Sequence, residues 1–253
     1  MTSPIVLITG ASAGIGVEFA RQLSAQGARL VLVARRKERI EALAGELGNA
    51  RAVALDLAEP DAAERLLADV AGHGEHVDCL VNNAGFGLRG RVSEQDPKRL
   101  RQMIDLNCGV LTELARGVLP AMIERGRGGI LNVASTAAFQ PGPGMGVYFA
   151  TKAYVLSFTE ALHEEVRGTG VHVTALCPGP VATEFGTIAG FEQKVGETFD
   201  KLSAQPGPVA AAGLAGLSAN RAIVVPGTMN KVGAQGARFL PRAIMRRIAG
   251  VLK

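Results

Sequence analysis

Short apolar runs, many of them β-branched, recur along the chain at 5–9 (IVLIT), 29–34 (RLVLVA), 51–55 (RAVAL), 79–83 (CLVNN), 129–134 (GILNVA), 172–177 (HVTALC) and 222–226 (AIVVP). Amphipathic stretches with helical spacing lie between them, near 15–26, 37–47, 60–72, 97–125, 147–168 and 206–219. Strands that are apolar on both faces, separated by helices, predict a parallel sheet covered on both sides. The regular alternation predicts an α/β fold, doubly wound, in three αβα layers. No Pro-, Gly- or Ser-rich linker precedes residue 183, so one domain over 1–253 is expected. The rhythm breaks at 184–205 (EFGTIAGFEQKVGETFDKLSAQ), which reads as an inserted helical loop.

Composition narrows this picture modestly. A hydrophobic fraction of 47% is ample for a sizeable core. The net charge of +4 is mild and argues for no nucleic-acid partner. Cys79, Cys108 and Cys177 are odd in number, widely spaced and without a Cys-x-x-Cys pair, as expected for buried thiols in a reducing, cytoplasmic setting. The first apolar stretch has a strand's length, so neither a signal peptide nor a membrane span is expected there. His73 and His76 have metal-like spacing but lie in a polar loop without further ligands, so no metal site is expected.

Chemistry enters at the strand ends. The first strand runs into TGASAGIG, with Gly10, Ser12, Ala13, Gly14, Ile15 and Gly16 ahead of a helix. Glycines let the backbone turn sharply and approach a pyrophosphate, whose charge suits the free N–H groups of a helix N-terminus. The spacing is G-x-x-x-G-x-G rather than the commoner G-x-G-x-x-G. At the end of the second strand, where an NAD site places a carboxylate, the chain has Ala34, Arg35 and Arg36. Two cations suit a ribose 2′-phosphate, which favours NADP(H) over NAD(H). The third strand ends at Asp56 and Leu57, where the carboxylate could accept from an adenine amino group or cap the next helix. NNAG brings Asn83, Ala84 and Gly85 to the end of the fourth strand, at the crevice edge.

Tyr148 and Lys152 stand four residues apart, on one face of a helix. A lysine at this offset from one of two tyrosines arises by chance roughly one time in twenty, so the pair alone is weak. An ammonium near a phenol favours the phenolate, which would bring the tyrosine pKa toward working pH. Such a phenol can protonate a carbonyl oxygen while hydride reaches the carbon. Ser135, at the end of the fifth strand, could hydrogen-bond the same oxygen, and Asn107 lies in the long helix before it.

Together TGASAGIG, NNAG, Ser135 with Tyr148-x-x-x-Lys152, and PGPVAT at 178–183 resemble the short-chain dehydrogenase/reductase family, in order over about residues 5–183. The resemblance implies a seven-stranded Rossmann-type sheet, a dimer or tetramer, and NAD(P)-linked interconversion of alcohols and carbonyls. Tyr148 would be the acid/base, and Lys152 would hold the nicotinamide ribose and lower the phenol pKa. Ser135 would orient the substrate, and Asn107 would position a water that relays protons to Lys152. The PGPVAT turn would place Pro178, Gly179, the Val181 backbone and Thr183 against the cofactor, the last two at its carboxamide end.

The segment 184–219 is expected to line the substrate pocket, with Phe185, Ile188, Phe191, Val195, Phe199 and Leu202 pointing to an apolar lipid-like, acyl or steroid ketone or alcohol. A non-catalytic NADP(H) sensor is the alternative reading, against which the full set of Ser135, Tyr148, Lys152 and Asn107 argues. The region 238–252 reads as a basic amphipathic helix. Leu240, Ile244, Ile248, Val251 and Leu252 form its stripe, and Arg238, Arg242, Arg246 and Arg247 carry its charge. It would dock on its own domain or a neighbouring subunit, or less favourably touch an anionic membrane. Pro120 should kink the long helix or end its regular part, and nothing in the sequence partners Tyr154.

Overall fold

The structure, a computed structural model, describes residues 3–190, 203–239 and 241–251. Its strands are β1 (Ile5–Thr9), β2 (Arg29–Ala34), β3 (Ala50–Ala54), β4 (Cys79–Asn82), β5 (Gly128–Val133), β6 (Val171–Leu176) and β7 (Ile223–Val224). They form one seven-stranded parallel sheet in the order β3-β2-β1-β4-β5-β6-β7. After β3 the chain returns to the other side of β1. The order therefore reverses between β1 and β4, and a crevice opens at their carboxyl ends.

Two-sided burial follows from the strand sequences. Ile5 and Leu7 of β1 and Val31 and Val33 of β2 face one core, which also holds Leu66, Leu114, Val118 and Leu162. Those residues come from helices α3 (Ala62–Gly72), α5 (Leu111–Glu124) and α6 (Gly146–Glu165). The alternate residues, Val6, Ile8, Leu30 and Leu32, face a second core with Phe19, Ile40 and Val209. These belong to α1 (Ile15–Ala25), α2 (Lys37–Leu47) and α8 (Pro206–Ser218).

The stretch expected as one long helix is three segments. They are α4 (Pro97–Ile104), a π-helical turn over Asp105–Val110, and α5. Pro120 lies inside α5 without ending it. A short helix, α7 (Phe185–Ala189), opens the expected loop. The chain closes with α9 (Thr228–Phe239) and α10 (Arg242–Val251), with Pro241 before the second. The expected single helix at 238–252 is thus two, with Pro241 at the start of the second, where its missing N–H would be unpaired in any case. Ile244 of its apolar stripe is 46% exposed, whereas Met245 is buried. Leu240, Leu252 and the side chains of Ile248 and Val251 lie outside the described residues. Among the described residues, no helix is long and apolar enough to cross a membrane.

A buried amide chain joins the middle of the sheet to its helices. Asn82 Nδ2 donates to Asn132 Oδ1 at 2.9 Å and to the Leu111 carbonyl at 3.1 Å, and Asn132 Nδ2 donates to Thr159 Oγ1 at 3.0 Å. Asn132→Ala removes an acceptor and a donor from this buried chain. Urea unfolding is expected to show a loss of about 1–3 kcal/mol, with the transition slope unchanged.

Candidate active site

The glycine turn is built by close approach. Gly14 has a φ of +55° and caps α1 without a side-chain hydrogen bond, which leaves the first N–H groups of the helix for a ligand. A Cβ on Gly16 would stand 2.2 Å from the Gly10 carbonyl oxygen and 2.8 Å from Asn83 Nδ2. Gly16 therefore lets the turn fold onto itself. Asn83 holds the turn from the side, donating from Nδ2 to the carbonyls of Thr9 and Gly10 at 2.9 and 3.1 Å. Thr9 Oγ1 completes the join by accepting from the backbone N–H groups of Asn83 and Ala84, both at 3.0 Å.

A cavity of about 700 Å³ runs from this turn along the sheet edge. Its wall includes Gly10, Ser12, Ala13, Gly14 and Ile15 from the turn, then Arg35, Arg36, Asp56 and Leu57 from the ends of β2 and β3. Asn83, Ala84 and Gly85 follow from β4, then Ser135, Tyr148 and Lys152, then Pro178, Gly179, Val181 and Thr183. Gly16 and Asn107, also expected at the site, are not part of the wall. The cleft with its free helix N-terminus, glycine cradle and nearby cations fits a dinucleotide with an added phosphate.

At the far end Tyr148 and Lys152 are both buried, and they project from α6 one turn apart. Lys152 Nζ donates to the Val133 carbonyl at 2.8 Å and sits 5.9 Å from the Tyr148 ring centre. Ser135 Oγ accepts from the Ala137 N–H at 3.1 Å, so its hydroxyl is held at the turn after β5. Phe185 packs on Tyr148 with ring centres 5.2 Å apart.

One expectation needs correction. Burial pushes the Tyr148 phenol up to about 12, although the Ser135 hydroxyl pulls the other way. Burial also pulls Lys152 down to about 8. Desolvation thus decides the direction, and at neutral pH the phenol keeps its proton. Asn107 lies in the π turn, behind the cavity wall. Its Oδ1 accepts from the Phe86 N–H at 3.1 Å, and its Nδ2 donates to the Phe86 carbonyl at 2.9 Å and to Thr151 Oγ1 at 3.0 Å. Its side chain braces the strand end beside Gly85.

The remaining residues fall into place around these. Asp56 Oδ1 accepts from the Ala58 N–H at 3.0 Å, and Oδ2 lies 3.8 Å from Arg35 Nη1. Arg36 reaches Ser12 and Glu184. Glu184 went unnoticed in the sequence, since a lone carboxylate after a strand carries no motif. Of the segment 184–219 expected to line the pocket, Phe185 and Ile188 are in the cavity wall, whereas α8 packs its Val209 and Leu217 into the second core instead. Phe191, Val195, Phe199 and Leu202 lie outside the described residues. Tyr154, without a partner in the sequence, pairs with Thr112 Oγ1 at 2.8 Å and stacks on Phe158. His73 and His76 lean on Asp69 and Asp78, and no cluster able to hold a metal occurs among the described residues.

Known proteins resemble this chain in sequence and fold. The family model for short chain dehydrogenase matches residues 4–190. An NADP-dependent 3-hydroxy acid dehydrogenase of Salmonella typhi is 40% identical over 208 residues, covering 79% of this chain and 83% of its own. A short-chain dehydrogenase from Sphingobium yanoikuyae, solved in complex with NADPH, superposes with a TM-score of 0.83 at 32% identity over 93% of each chain. A bulky-bulky ketone specific alcohol dehydrogenase from Comamonas testosteroni superposes at 0.79 with 27% identity, covering 94% of this chain and 93% of its own. A glycine turn at the switch point, a Ser–Tyr–Lys set on the neighbouring strand and helix, and a match over most of the chain leave one assignment: this protein belongs to the short-chain dehydrogenases.

Proposed function

We propose that the protein is an NADP(H)-dependent oxidoreductase that interconverts a carbonyl and a secondary alcohol on an apolar substrate. The observation that carries this reading is one continuous cavity joining the glycine turn and Arg35 to Ser135, Tyr148 and Lys152. The nicotinamide cofactor supplies hydride chemistry. The α1 N-terminus and the turn hold the pyrophosphate, and Arg35 reads the 2′-phosphate. Lys152 holds the ribose end, and Thr183 with the Val181 backbone sits at the carboxamide end. Ser135 orients the substrate oxygen, and Tyr148 donates the proton in reduction and takes it back in oxidation.

Phe86, Met145, Phe149, Phe185 and Ile188 line the end near Tyr148, which supports a bulky neutral substrate. A hydroxy acid would need a cation for its carboxylate. Among the described lining residues the cations are Lys152, Arg35 and Arg36, and both arginines stand at the other end, after β2. A homo-oligomer is proposed as well, supported by Ile104, Ile123 and Tyr154, exposed on α4, α5 and α6.

The test follows nicotinamide absorbance with NADPH and a panel of bulky apolar ketones beside short 3-oxo acids. Faster turnover of the ketones is expected, and turnover of the acids alone would refute the substrate class. Arg35→Ala is expected to lower the NADPH-to-NADH ratio of kcat/KM by roughly tenfold or more, the loss of one charge-assisted contact. An unchanged ratio would remove Arg35 from the 2′-phosphate site.

A further inference from the structure

Arg36 and Glu184 come from opposite wings of the sheet. Arg36 follows β2, and Glu184 follows β6, with β1, β4 and β5 between those strands. Their side chains nevertheless meet. Arg36 Nη1 lies 2.5 Å from Glu184 Oε2, and Arg39 Nη1 lies 2.7 Å from Glu184 Oε1. One carboxylate is thus shared by two guanidinium groups, from the cap and the first turn of α2, and they hold it below the usual carboxylate range. Arg36 also donates from Nε and Nη2 to Ser12 Oγ, at 3.1 and 2.9 Å, so the bridge is anchored in the glycine turn. The backbone carrying Glu184 lies close to that turn, since a Cβ on Gly14 would meet Thr183 Cγ2 at 2.6 Å. These contacts carry the chain of ion pairs across the crevice between its two banks.

The geometry points to Glu184 as a cofactor-retention residue, which with Arg36 and Arg39 straps the crevice so that a bound dinucleotide exchanges only when the ion pairs part. This rests on the nicotinamide-dinucleotide reading of the cavity and adds a division of labour between neighbouring arginines. Arg35, with a side chain 72% exposed and, among the described residues, a loose 3.8 Å pairing to Asp56, is placed to distinguish the 2′-phosphate. Arg36, held by Ser12 and Glu184, serves either dinucleotide alike. The strap also reaches the substrate side, because Glu184 directly precedes Phe185, which packs on Tyr148.

Stopped-flow release of NADPH and of NADH from the full chain tests this. Glu184→Gln is expected to speed release of both nucleotides by about three- to tenfold, the scale of partly exposed ion pairs acting together. Added salt should speed release of both nucleotides more from the wild type than from the variant, which keeps only the phosphate contacts to be screened. Glu184→Asp should restore part of the retention. Arg39→Gln, on an exposed residue outside the cavity wall, should give a smaller change in the same direction. Release unchanged in Glu184→Gln would overturn the strap. So would a change confined to NADPH, which would place Glu184 in 2′-phosphate discrimination instead. Failure of the wild type to bind either nucleotide would strike the cofactor reading itself, a distinct result.

Discussion

Tyr148→Phe is expected to lower turnover by about 10²–10⁴-fold, the usual contribution of a positioned proton donor, with NADPH binding essentially retained. The ring is buried and packs against Phe149 and Phe185, so removing only the oxygen leaves that packing in place. The pH dependence follows from the phenol pKa of about 12. Reduction needs the protonated form, which persists through neutral pH, so its rate should hold there and fall in alkali, first as Lys152 loses its charge near 8 and then as the phenol ionises. Oxidation needs the phenolate, so its rate should climb with pH over the same range. Profiles of kcat/KM in both directions check this. A reduction rate that rises with pH would contradict the assigned donor.

The second large effect is expected at Gly16. Its backbone is ordinary, so only space forbids a side chain, and the obstacle is the Gly10 carbonyl oxygen, 2.2 Å from a Cβ there. Gly16→Ala must push the turn open and strain the Asn83 bonds that hold it. Overpacking of this kind costs about 1–3 kcal/mol of stability. Loss of even one charge-assisted bond to the pyrophosphate would weaken NADPH binding by at least roughly tenfold. Gly45→Ala, in α2 with nothing within 4 Å of an added Cβ, is the matched control. It should be neutral or slightly stabilising, since alanine is the better helix former. Denaturant midpoints and fluorescence titration with NADPH separate the two variants.

What the sequence revealed, and what it hid, follows from the range of the interactions involved. The inner strands are apolar on both faces, so β1 and β2 begin and end where their runs do. Tyr148, Lys152 and Ser135 could be placed together because helix spacing and strand ends are local properties. The π turn at Asp105–Val110 was not visible, since it carries the same apolar pattern as the helices it joins. Its effect is to turn Asn107 onto Phe86, a contact between segments that no spacing rule links. Helix α9 was missed because Asn230, Gly233 and Gly236 are poor helix formers. Asn230 helps hold it, donating to the Pro226 carbonyl four residues back at 2.8 Å and packing on Gly179 of a distant segment. Glu184 was silent because Arg36 and Arg39, its partners, lie 148 and 145 residues away. The tyrosine pKa was misjudged for a related reason: sequence shows the neighbouring charge but not the burial that decides the direction.

The central claim is that hydride passes within this cavity to a substrate carbon while Tyr148 protonates the oxygen. Mass spectrometry of the alcohol formed from a bulky ketone and NADPH deuterated at the transferable position tests it most directly. The account predicts one deuterium on the carbinol carbon with the wild type and almost no labelled alcohol with Tyr148→Phe. Binding of NADPH without any labelled product, or equal labelling by the variant, would contradict it.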